Sequence, residues 1–384
     1  MPDELSSAAG AVFVHSPELE RYSYPENCPF SAKRAGLTRQ KIASMGLLGG
    51  DDAREAPPQM ASRSELETYH SPRYLDAILK AQAGELDADA FLMGLGTPDC
   101  PVFPGMYEYA AWACGATLTG ARLIADRKAW VVFNPSGGYH HAFRARASGF
   151  CYVNDIVIAA LELLRRGLRI AVLDVDVHHC DAVQDAFYRR GDVLVVSMHE
   201  SGRTLFPGTG FEQEAGEAEG RGCTVNIPLP VGAYDAAYFF AYKEAVAPVL
   251  RAYSPDVIIL ELGMDALAGD PLAHLNLTNN VFVDIIEDVL SMQKPVLATG
   301  GGGYNVENTV RGWALCWSVL CGRYSHDISA GMGGVMLENT DWAGGLRDRT
   351  LISDAGRREN VDREIRAVVR RVRELVFPLH GLSP

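Results

Sequence analysis

Short apolar runs alternate along this chain with longer stretches in which apolar residues recur every three to four positions. The runs Ala11 to His15, Trp130 to Asn134, Val193 to Met198, Val257 to Leu262 and Pro295 to Thr299, with the one opening at Ile170, read as strands. Helices are predicted for Ala32 to Leu48, from the Ser71-Pro72 start to about Gly84, for Met106 to Ala125, and from Asn154-Asp155 to about Gly167. Further ones cover Ala182 to Arg190 and Tyr234 to Ala252, and Ser64 with Glu67 reads as a capping box. Near the end, Asn360 is positioned to cap a helix with apolar Val361, Ile365, Val368, Val369, Val372 and Leu375, an extension over about 357–378 with an Arg-rich outer face. Strands alternating with helices predict an α/β fold around a mostly parallel sheet.

Polar residues interrupt this pattern at the ends of the strands. Ile170 to Asp181 reads I-A-V-L-D-V-D-V-H-H-C-D, an apolar run that passes directly into carboxylates and imidazoles. In extended backbone, residues i, i+2 and i+4 share a face, so Asp174, Asp176 and His178 are expected to form a metal half-site. A parallel sheet places its chemistry at these carboxyl ends. Trp130 to Asn134 likewise runs into Gly137-Gly138-Tyr139-His140-His141, where neutral imidazoles suit proton transfer near pH 7. Val257 to Leu262 leads to Asp265, and Pro295 to Thr299 to a four-glycine loop presenting Tyr304. That loop lacks the Lys-Ser/Thr of a P-loop and does not fit G-x-G-x-x-G.

Composition narrows the function further. The chain has 384 residues, with 48% hydrophobic and 22% charged, as expected of a globular protein with ample core. No apolar run reaches membrane-span length, and Met1 to Gly10 has an acidic pair without a basic n-region, so a cytoplasmic location is expected. The eight cysteines form no C-x-x-C pair and are expected to be reduced. A net charge of −13 argues against a nucleic-acid surface and favours cationic partners or substrates. The acid run Glu212, Glu214, Glu217 and Glu219 reads as solvated, and Gly84 to Gly105 as a long loop forming a rim. Carboxylates and an imidazole around a divalent ion, with a His to move protons and a Tyr to steady an oxyanion, point to metal-assisted amide or ester hydrolysis.

The same residues resemble the zinc-dependent histone deacetylase family, close to its class I members and to bacterial acetoin-utilization proteins. The match spans roughly residues 20 to 320. It rests on Gly137 to Ala142, Ser148 to Asp155, Asp174 to Asp181, Phe206-Pro207-Gly208-Thr209-Gly210, Ala268-Gly269-Asp270-Pro271 and Gly300 to Tyr304. The resemblance implies one arginase-like α/β domain over 1–384 with an eight-stranded sheet. It implies catalytic zinc on Asp176, His178 and Asp265, His140 paired with Asp174, and His141, paired with Asp181, as general base and acid. Tyr304 would donate to the scissile carbonyl and the Gly149 carbonyl would accept the substrate amide proton. Phe150, Phe206, Leu272 and Gly302 would line the substrate site, Asp99 would hold the peptide backbone at the rim, and Arg34 and Tyr139 would line an inner acetate channel. Potassium is implied on Asp174, Ser197 and the backbone of Asp176, His178 and Met198.

Three positions depart from the family pattern: Tyr139 where Leu is common, Glu261 where Gln is usual, and Cys28 where His is frequent. The substrate implied is acetyl-lysine in protein or peptide, with an acetylated polyamine as the alternative. A binuclear manganese ureohydrolase would need a D-x-D pair where the chain offers only Asp265. A non-catalytic acetyl-lysine reader would have lost a ligand, the His pair or the Tyr.

Overall fold

The computed structural model describes residues 10–324, 345–351 and 355–384. The expectation drawn from Met1 to Gly10 therefore lies almost wholly outside the described residues. Eight strands form one sheet: β1 (Ala11–Val14), β2 (Ala53–Ala56), β3 (Val131–Asn134), β4 (Ile170–Asp174), β5 (Val193–Glu200), β6 (Thr224–Leu229), β7 (Val257–Glu261) and β8 (Val296–Thr299). Their order is β2-β1-β3-β8-β7-β4-β5-β6, and every pairing between them is parallel. Parallel neighbours need crossovers, and the intervening helices supply them while burying both faces of the sheet. Strands buried on both faces lose the alternating pattern, which is why VIILE of β7 is fully buried. Leu173, Val196 and Leu260 belong to the core on one face, and Val172, Val195 and Ile259 to that on the other.

Several elements differ from the sequence expectation. The capping box is formed by Ser62 with Glu65, not Ser64 with Glu67, two residues earlier in the same Ser/Glu-rich stretch. The loop after Gly84 contains a short helix, Ala88–Leu92, capped by Asp87. The helix from Asp235 is broken by a π-turn over Tyr242–Val246 before it resumes at Ala247. Helices Asn280–Ser291 and Val306–Leu320 and strands β2 and β6 were not foreseen. The last long helix runs Ala355–Val376, so Asn360 lies inside it; its side chain accepts from Arg363. Val361, Ile365, Val369 and Val372 are buried against the core near β6, leaving Arg363, Arg366, Arg370 and Arg371 exposed.

Candidate active site

Because β3, β8, β7 and β4 are consecutive in the sheet, their carboxyl ends deliver four chemically loaded loops to one place. Strand β4 ends at Asp174, and from Val175 the backbone leaves the ladder. The shared-face rule lapses there, so Asp174 does not join Asp176 and His178 in one half-site. Asp174 faces His140 instead, Oδ2 lying 2.8 Å from Nδ1, while its Oδ1 accepts the Asp176 N–H at 2.9 Å. Asp176 and His178 meet Asp265 from the loop after β7. His178 Nδ1 is 3.2 Å from Asp176 Oδ1 and 3.1 Å from Asp265 Oδ2. The ligand-type atoms of these three buried residues lie within 4.8 Å of one another.

Glycines make this convergence sterically feasible. A Cβ at Gly263 would overlap the Asp176 carboxyl, and one at Gly302 would overlap that of Asp265. Gly302 N–H donates to Asp176 Oδ2 at 2.6 Å. Burial, followed by the nearby Asp176 charge, pushes the Asp265 carboxyl up to about 7. Burial alone would lower His178, but the two carboxylates win and raise it to about 10. The cluster therefore needs positive charge: a proton on His178 supplies one unit, and a divalent cation would supply two. Carboxylate oxygens with an imidazole suit zinc as ligands.

The two histidines behind Gly138 have opposite environments. Asp155 holds their turn, accepting the N–H groups of Gly138 and Tyr139 at 3.1 and 2.9 Å and the Thr117 hydroxyl at 2.5 Å. In sequence this carboxylate looks like an ordinary first-turn acid of the following helix, which hid its role. Gly138 has φ of +98°, and a Cβ there would come within 2.5 Å of the Gly300 carbonyl. Thus the turn after β3 packs directly on the glycine loop after β8. Burial disfavours charge on His140, yet Asp174 and Asp176 raise it to about 10. His141 is lowered to about 4 by burial and by its charged neighbour, with Asp181, 2.7 Å from Nδ1, only partly opposing.

Glu261 adds a fourth buried carboxylate to Asp174, Asp176 and Asp265. The β4–β7 register sets it opposite Asp174, and its Oε2 lies 3.1 Å from His140 Nδ1. Neither of its carboxyl oxygens finds a well-aligned hydrogen bond. Burial, then Asp174 and Asp176, pushes its carboxyl well above the usual range.

Tyr304 is oriented through its backbone: Asp270 Oδ2 accepts the Tyr304 N–H at 2.7 Å, while Oδ1 accepts that of Leu272 at 2.9 Å. One carboxylate thereby fixes two neighbouring loops, a role the sequence reading did not assign. The Tyr304 ring meets Phe150 edge-on at 5.7 Å between centres and His178 at 6.3 Å. Phe206 packs edge-on against His141 at 5.0 Å and is 40% exposed, so it joins the interior of the site to solvent. Phe150 has φ of +65°, uncommon for a bulky residue, and is held by its N–H to the Asp99 carbonyl and by Tyr24 to its own carbonyl, both at 2.8 Å. The Gly149 carbonyl accepts the Cys151 thiol at 3.1 Å, and Asp99 itself is exposed.

Behind the site, Arg34 donates to the carbonyls of Ser31, Gly303 and Gly301 at 3.0, 2.9 and 3.0 Å, bracing the glycine loop. Buried Tyr139 meets Tyr109, hydroxyl to hydroxyl, at 2.7 Å. The β4–β5 register puts Ser197 opposite Asp174, and the Ser197 hydroxyl lies 2.8 Å from His199. Of the acid run expected to be solvated, Glu214 is instead structural, bonding Gln184, Gly210 and Phe211.

A model of the histone deacetylase domain matches residues 28–320. The chain is 39% identical over 320 residues to acetoin utilization protein AcuC of Bacillus subtilis (strain 168), covering 81% of this chain and 82% of that one. It is 36% identical over 318 residues to histone deacetylase 8 of Xenopus tropicalis, covering 81% and 84%. Among solved structures, a histone deacetylase homologue complexed with SAHA superposes with a TM-score of 0.83 at 28% identity, over 95% of this chain and 99% of that one. A homologue from Aquifex aeolicus gives 0.82 at 28%, over 94% and 99%. With the strand-end carboxylates, the His pair and the glycine loop all converging on one buried centre, the chain belongs to the histone deacetylase family and is a hydrolase acting on acetyl amides.

Proposed function

We propose that this protein removes the acetyl group from acetyl-lysine side chains by zinc-dependent hydrolysis, releasing acetate. The observation that carries this reading is His141 paired with Asp181, its ring centre 5.9 Å from that of His178 in the Asp176–His178–Asp265 cluster. Zinc held by those three residues would supply Lewis acidity toward the amide carbonyl and make the attacking water more acidic. Asp181 accepts from Nδ1 of His141, leaving Nε2 to take a proton from water and return it to the departing amine. Tyr304 donates its hydroxyl to the carbonyl oxygen as negative charge develops there, and the Gly149 carbonyl accepts the amide N–H. Phe150, Phe206, Leu272 and Gly302 enclose the methylene chain.

His140, paired with Asp174, supplies fixed positive charge beside the reacting carbonyl rather than a proton shuttle. Potassium on Asp174, Ser197 and the carbonyls of Asp176, His178 and Met198 belongs to the same reading, supported by the Asp174–Ser197 register. Arg34 and Tyr139 line the inner end, where acetate departs. A cytoplasmic, reducing location fits the eight free thiols.

The test is kcat/KM on acetyl-lysine peptides against acetylpolyamines, for the wild type and Asp99→Asn. Exposed Asp99 can accept backbone N–H groups of a peptide, and its amide variant should lose at least roughly tenfold on peptides, about 1.4 kcal/mol, at low and high salt alike. Normal peptide cleavage with a salt-dependent loss confined to acetylpolyamines would make the polyamine the substrate.

A further inference from the structure

Glu200 ends β5 with its side chain fully buried, although a carboxylate is seldom buried without a dedicated role. Its oxygens are committed to two separate loops. Oε1 accepts the Thr204 hydroxyl at 3.0 Å, and Oε2 accepts the His274 N–H at 2.9 Å. The His274 ring adds a third contact, Nδ1 to Oε1 at 2.9 Å, from a side chain that is 56% exposed. Thr204 stands two residues before Phe206, and His274 two residues after Leu272. Among the described residues, no backbone hydrogen bond joins 201–208 to 270–275. Glu200 is therefore the direct polar link between the segment carrying Phe206 and the one carrying Leu272.

We propose that Glu200 is a positioning residue that sets the distance between these two walls, and so the calibre of the passage for the substrate's methylene chain. This rests on the reading of Phe206 and Leu272 as walls of an acyl-lysine tunnel. A carboxylate suits the task because its two oxygens present acceptors in two directions from one rigid strand end. At the other edge of the same loop, Asp270 fixes the Leu272 N–H. Leu272 is thus anchored toward Tyr304 on one side and toward the Phe206 segment on the other. Loss of the Glu200 link leaves the first anchor, so the passage widens while the reacting groups keep their places.

The experiment compares the wild type with Glu200→Ala, Glu200→Gln and His274→Ala. Two substrates are used: an acetyl-lysine peptide, and the same peptide carrying 4-(acetamidomethyl)phenylalanine, whose linker is broad. In Glu200→Ala, KM for acetyl-lysine should rise about five- to tenfold with kcat held within about twofold, and the preference for the slender linker should shrink about fivefold. Glu200→Gln and His274→Ala should show the same changes in smaller measure. Amide hydrogen exchange should quicken in 201–208 and 270–275 together. A purely stabilising residue would lower the melting temperature without altering linker preference.

An unchanged preference in folded Glu200→Ala, or in Glu200→Gln should the alanine variant not fold, overturns the proposal. So does exchange that quickens in one segment alone or in neither. If the wild type cleaves no acyl-lysine at all, the functional reading fails, and the paired exchange then decides whether Glu200 links the segments.

Discussion

The imidazoles of His140 and His141 stand with ring centres 4.0 Å apart and planes at 60°, one driven toward the charged form and the other toward the neutral. Adjacent cations so close repel, and His140 lies beside more carboxylate than His141 does, so it takes the proton. A base must be unprotonated at working pH, which singles out His141. His141→Ala should lower kcat by about 10²–10⁴-fold in steady-state assays, a larger loss than His140→Ala. The reverse order would exchange the two roles.

The three-residue cluster should hold one divalent ion per chain. Elemental analysis of purified protein should give one zinc, and His178→Ala should lose both the metal and activity, as should treatment with a chelator. Two ions per site would contradict the arrangement. Because His178 is raised to about 10 and Asp265 to about 7, metal entry near neutral pH must displace protons. Calorimetric titration of the stripped protein in buffers of different ionisation enthalpy should register that release.

Tyr304 touches Phe150 and His178 through its ring, while no hydrogen bond to its hydroxyl is formed among the described residues. Removing the hydroxyl in Tyr304→Phe should reduce kcat about 10²–10³-fold, about 3–4 kcal/mol, with much less change in KM. An unchanged kcat would reduce Tyr304 to a packing residue.

His70 offers a pH test at a group outside the metal cluster. It is buried, its Nε2 accepts the Asn154 N–H at 3.0 Å, and burial lowers its pKa from 6.5 to about 4. Between those values the unfolded chain binds a proton that the folded chain refuses. Its contribution is complete above about pH 6.5 and is lost as pH falls toward 4, up to about 3 kcal/mol. Denaturant unfolding at pH 7 and 4.5 should show this loss in the wild type, and a shallower dependence in His70→Gln.

Much of the site was legible because its residues lie where apolar runs end. The runs that close at Asn134, at Asp174 and shortly before Asp265 each mark a strand whose terminus faces the cleft, and local composition is enough to reveal that. The double histidine, the glycine loop with Tyr304 and the ladder from Asp174 were all apparent in this way. Asp155, Asp270 and Glu200 were not, since a carboxylate beside a helix start or a loop has an ordinary solvated explanation until its partners are known.

What the sequence determined by itself is therefore six of the eight strands, their polar ends and the family-specific motifs. What only the tertiary structure decided is which ends meet. Parallel strands distant in sequence become neighbours through crossovers, and no local signal orders β3, β8, β7 and β4 side by side. That order, with the ending of β4 at Asp174, separates Asp174 from the Asp176–His178–Asp265 cluster and hands it to His140. The β4–β7 register likewise places Glu261 against both, because position across a sheet is set by pairing and not by spacing along the chain.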